Sequence, residues 1–134
     1  KEQKIIHNNN ELLLMMDLVA DIYSISYELI NERILVNSKH ISIQKVDSTQ
    51  CCVLKLVSVI SKFLVFIGFE NSLDKELRDE LLKFQQLAWY VYTELLESFQ
   101  EKKELKEEKM SEFLKEFHYL QKRIDSFIIL KKAA

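Results

Sequence analysis

The sequence predicts an all-α fold, a four-helix bundle, and three observations carry that expectation. The 134 residues include one glycine and no proline, whereas β-hairpins and tight turns use Gly, Asn-Gly or Pro to reach their backbone angles. Leu, Lys, Glu and Ile dominate the rest, and most of these are good helix formers. Apolar residues recur at spacings of three and four along four segments, about 11–36, 48–68, 73–100 and 110–130, the signature of amphipathic helices. A chain of this length makes one domain, 1–134. Its 48% hydrophobic content is enough for a core and excludes a disordered tail.

The first helix is expected from Glu11, with Asn10 as its cap, to Val36; residues 1–10 are polar apart from Ile5 and Ile6 and predict a frayed start. Met15, Leu18, Ile22, Ile25, Leu29 and Val36 form its core stripe, widened by Leu12, Val19, Tyr23 and Ile30. Residues 37–50 lose the helical period and predict a long loop. Such a loop can close a hairpin or cross between parallel helices, so the topology stays open.

The second helix opens on Asp47 with Gln50 three residues on, a near capping box, and is expected to end at Gly68 in a left-handed stop. Its many β-branched residues suggest a strand, but Lys55, Ser58 and Lys62 share one helical face. Those lysines also interrupt the apolar run that a membrane span needs. The third helix has Asn71 or Ser72 as cap and a core stripe of Leu77, Leu81, Phe84, Ala88, Val91 and Leu95. Asp74 with Arg78, and Asp79 with Lys83, sit at pairing distance along it.

The charged segment 100–109 contains no helix breaker. Beyond it Met110, Phe113, Phe117, Leu120, Ile124 and Phe127 make an a/d stripe. Phe99 and Met110 are eleven residues apart, which keeps the stripe in phase across the charges. Helices three and four can therefore be continuous. A compact monomer needs a turn here instead, with Ser111 as cap, and the turn is the preferred reading.

Charge and composition exclude several function classes. Net charge is −2, and residues 101–134, the only basic stretch, mix nine basic with seven acidic side chains. No phosphate-tracking face is predicted, so nucleic acid is not an expected partner. Phosphate-binding loops need glycines that this chain lacks. His7, His40 and His118 lie far apart without paired spacing, so neither a metal nor a cofactor is expected, and no catalytic residues are assigned. Adjacent Cys51 and Cys52 build no disulfide framework, which predicts a reducing, intracellular setting. The start at Lys1 rather than Met predicts an excerpt or trimmed product. The ending Lys131-Lys132-Ala133-Ala134 has the form of an ER-retrieval tail and, without a membrane span, reads as chance.

Three surface features remain. Asp17, Asp21, Glu28 and Glu32 line the polar face of helix one and predict a docking face for a basic segment, set against an ordinary solvated face. Trp89 and Tyr90 in the third helix are interface-type aromatics, set against core rings with one stray exposed neighbour. Cys51 falls on the polar stripe of helix two, in its expected first turn and near Lys55. Both features lower a thiol's pKa and predict a reactive thiol, set against an inert small side chain.

The functional expectation is a non-enzymatic protein–protein interaction module, a subunit or adaptor of a larger intracellular assembly. A self-associating homodimer pairing through residues 73–130 is the alternative. A membrane-active bundle of apoptosis-regulator type is a third reading, against which the expected Asn-Trp-Gly-Arg stretch is missing.

Overall fold

Four helices form in the order α1 Glu2–Ile34, α2 Ile43–Leu64, α3 Ser72–Glu101 and α4 Glu108–Ala133. The computed structural model describes the backbone of residues 2–37 and 39–133 and the side chains from Asn9 onward. No strand occurs among the described residues, and the chain is an all-α four-helix bundle. Each helix packs on the helix next to it in the chain, and α1 closes the ring against α4.

Side-chain bonds fix the direction of every pair. Glu32 near the end of α1 meets Lys45 at the start of α2 at 2.9 Å, while Cys52 Sγ reaches Ile25 O at 3.5 Å. Gln85 of α3 donates to Val57 O of α2. Glu76 and Lys83 of α3 pair with Arg123 and Glu116 of α4. Tyr23 of α1 donates to Asp125 of α4 at 2.9 Å. All neighbours are antiparallel, so the topology is up-down-up-down, and no long crossover is used.

The expected core stripes meet at the centre. Ile22, Leu29, Leu56, Ile60, Phe63, Leu81, Phe84, Phe113, Phe117, Leu120 and Ile124 are almost fully buried. Phe84 stacks on Phe113 at 4.6 Å and on Phe117 at 5.8 Å between ring centroids. Burying one such side chain stabilises the fold by roughly 1.5–3 kcal/mol, so this layer dominates the folding energy.

Three boundaries differ from expectation. Helix α1 starts at Glu2 rather than Glu11, which makes Asn10 an interior residue; Glu2, Gln3 and Lys4 are good formers with no breaker to stop them. Helix α2 starts at Ile43, not 48, because the Ser42 hydroxyl accepts from Lys45 N at 3.1 Å. The Asp47–Gln50 pair is therefore not the cap, and Val46 and Thr49 are buried members of the helix. The connection is short, which suits antiparallel neighbours.

Gly68 does not take a left-handed conformation. Helix α2 ends instead at Leu64 through tightening turns, with the Val65, Phe66 and Ile67 amides donating to Lys62, Phe63 and Leu64. Arg78 satisfies the leftover carbonyls, donating to Leu64 O at 2.8 Å and Ile67 O at 2.9 Å. It is not paired with Asp74, nor Lys83 with Asp79. A Cβ on Gly68 would lie 3.1 Å from Asp74 Oδ2, so glycine serves close approach here.

Helices three and four are separate, as a compact chain requires. Lys102 ends α3 in the left-handed region at φ 54°, which costs a non-glycine residue about 1 kcal/mol. Several contacts hold it there. Ser98 donates to Lys103 O, and Arg33 of α1 donates to Lys106 O at 3.2 Å and pairs with Glu107 at 3.0 Å. Leu105, the one apolar residue of the charged segment, is buried with Val46 and Leu95 in a small end cluster. Ser111 is not the cap: its amide bonds to Glu107 O inside α4.

Candidate interaction surface

The acidic residues of α1 divide into two pairs. Glu32 is half-buried between Lys45 and Ser48, both at 2.9 Å, and the bond from Lys45 holds its carboxyl below the usual range. Glu28 lies 3.8 Å from Lys55. These two therefore serve the α1–α2 contact. Asp17 and Asp21 are exposed and form no ion pair among the described residues.

Trp89 and Tyr90 are on α3, diagonally across the ring from α1, so they do not join the acidic residues in one site. Trp89 is half-buried and meets Tyr92 edge-on at 6.0 Å. Tyr90 is 39% exposed, with Lys109 Nζ 5.2 Å from its ring centre. Trp89 is thus part of the core wall, and Tyr90 alone faces solvent.

Cys51 is exposed and unbridged. With α2 beginning at Ile43 it lies past the second turn, beyond the reach of the helix-end field. Lys55 one turn on faces Glu28. Both supports for an activated thiol are therefore weaker than the sequence implied. Cys52 is buried, and burial pushes its thiol up to about 12.

A second apolar stripe on α1 escaped the sequence reading. Leu13, Met16, Ala20, Tyr23, Tyr27, Ile30 and Ile34 follow the heptad spacing of three and four. They lie beside the core stripe, toward α4 and outward. Leu13 is 59% exposed, Tyr27 49% and Ile34 70%. The spacing is visible in the sequence, but Tyr23 and Ile30 also fit the edge of the core stripe, which masks it.

Along the upper part of this seam an open groove of about 410 Å³ is lined by Met16, Val19, Ala20, Tyr23, Ile128 and Ile129, with the charged Asp125 and Lys132 among them. Its lower end is fixed by polar bonds. The Tyr23 hydroxyl donates to Asp125 Oδ1 and Gln121 O, and the Tyr27 hydroxyl accepts from Gln121 Nε2 at 3.2 Å. Tyr27 also meets Phe117 edge-on at 5.1 Å. Burial and the Asp125 carboxylate both raise the Tyr23 pKa, so its hydroxyl stays protonated as a donor.

A further polar cluster lies between α3 and α4. Glu116 is 7% exposed, its Oε2 is 3.3 Å from Lys83 Nζ, and its Oε1 has no partner. Burial and the neighbouring Glu80 hold its carboxyl up at about 7. Among the described residues no group of three or more His, Cys, Asp or Glu side chains could hold a metal. No helix there is long and apolar enough to cross a membrane. No family model, curated protein or solved structure matches this chain.

Proposed function

We propose that this chain is a non-catalytic helical interaction module, a subunit or adaptor in an intracellular assembly, and that the α1/α4 face is its docking surface. The outer apolar stripe of α1 carries this reading. Helix α1 has already buried one stripe in the core through Met15, Val19, Ile22 and Leu29. A second stripe at coiled-coil spacing, with Leu13, Met16, Tyr27 and Ile34 exposed beside a groove that also carries Asp125 and Lys132, fits an amphipathic helix laid along the seam. The two free cysteines agree with a reducing compartment.

A photo-crosslinking residue at Ala20, in the groove, tests this against the same residue at Gln86, exposed on the outer side of α3. In extract from the native host, protein adducts should concentrate at Ala20. Equal or absent adducts at both positions would contradict the reading.

A further inference from the structure

We infer that Glu80 of α3 and Glu116 of α4 hold one proton between them, and that this proton latches the two helices together until mild alkalinisation releases it. Two orphaned oxygens carry the inference. Glu116 is 7% exposed, and its Oε1 and the Oε2 of Glu80 are both buried without a hydrogen-bond partner. The register of the seam brings the two side chains to each other. Glu76 meets Arg123 and Lys83 meets Glu116 along it, and Glu80 stands between Glu76 and Lys83, about one turn from each. Its carboxyl comes within hydrogen-bonding range of Glu116.

An ionised carboxylate only accepts, so two of them cannot bond to each other, and each buried oxygen would stay unpartnered at a cost. One proton satisfies both, because the O–H of one carboxyl donates to the other. Lys83 Nζ, 3.3 Å from Glu116 Oε2, is the positive charge that acts on the pair. With one proton the three groups sum to zero; without it, two negative charges face one positive charge in a buried seam. The other charged groups along the seam are engaged elsewhere: Glu76 with Arg123, Glu112 with Lys109, and Glu94 with the Lys109 amide. From the remaining helices, Tyr23 and Tyr27 of α1 bond to Asp125 and Gln121, and Arg78 of α3 is turned to the α2 carbonyls. Burial, and then Glu80, raise the Glu116 carboxyl to about 7. The proton is therefore held below the neutral range and passes to solvent above it. The pair is then doubly negative, and the seam opens more often while the rest of the core stays packed.

Carbon-13 spectra of the glutamate carboxyls read the sharing. Glu80 and Glu116 should shift together through one step near pH 7. Glu80→Gln gives Glu116 a neutral amide donor in place of a like charge and should lower its step by about one pH unit, a tenfold loss of proton affinity. Amide hydrogen exchange reads the latch. Protection across residues 113–124 of α4 should fall about tenfold between pH 6 and pH 8, beyond the change in base catalysis. Glu116→Gln, whose amide donates to Glu80 at every pH, should not show this fall. A Glu116 step unmoved by Glu80→Gln would assign the proton to burial of Glu116 alone and overturn the sharing. Exchange that follows base catalysis alone in the unaltered chain would overturn the latch. Protection regained at pH 8 on adding calcium or magnesium chloride, but not sodium chloride, would give the site to a cation instead of a proton.

Discussion

Lys102 and Arg33 show how single residues make a turn that composition discourages. Lys102 holds φ 54° without glycine's freedom, and Arg33, 5% exposed, ties the following loop to α1. Lys102→Gly removes the steric cost of the left-handed region and should stabilise the protein by about 0.5–1 kcal/mol, read as a higher thermal midpoint. Arg33→Ala leaves the Lys106 carbonyl without its donor and opens space beside the end cluster. It should cost about 1–3 kcal/mol, read by denaturant unfolding. The two thiols offer a third check. Native labelling should modify Cys51 at an ordinary rate and spare Cys52 until the chain unfolds, since Cys52 is 1% exposed. Rapid labelling of Cys51, well above a model thiol, would revive the activated-thiol expectation.

Among the elements, α3 was the most legible: its expected span of 73–100 lies one residue inside Ser72–Glu101 at either end, because Asn71 is both a good cap type and the cap used, accepting from Asp74 N at 2.8 Å. Helix α4 followed its a/d stripe in the same way. The start of α2 was not legible, because two capping signals, Ser42 with Lys45 and Asp47 with Gln50, stand five residues apart, and packing of Val46 selects the earlier one. The candidate site was half legible. Asp17 and Asp21 were found as an exposed acidic face, but nothing local shows that Lys45 and Lys55 engage Glu32 and Glu28 from the next helix. The buried Glu116 was illegible for a similar reason: Glu80 and Lys83 come to it from the neighbouring helix α3.

That carboxyl makes the α3–α4 contact pH-dependent. Its folded pKa, about 7, is above the unfolded value of 4.5, so the folded state binds the extra proton between them. Stability from this group is full below about pH 4.5, falls as pH rises toward 7, and is flat beyond. Glu116→Gln should remove this slope and stabilise the protein at pH 8 by roughly 1–2 kcal/mol. Chemical denaturation of both proteins at pH 5 and pH 8 checks it; an equal gain at the two pH values would contradict the assignment.

At the scale of the molecule, the ring of four antiparallel helices separates two tasks. The inner stripes, with Phe84, Phe113 and Phe117 at their centre, hold the fold. The exposed members of the outer stripe of α1, Leu13, Met16, Ala20 and Ile34, stand apart from it and are where an association surface fits. Methionine footprinting tests this division most directly, because Met16 is 37% exposed on the groove while Met15 and Met110 are about 5% exposed in the core. Mild oxidation of the protein in its native assembly should leave all three methionines intact. Disassembly by dilution or by Ala20→Glu should then expose Met16 alone to sulfoxide formation. Equal oxidation of Met16 in the assembled and dispersed states would show that nothing covers the α1/α4 face.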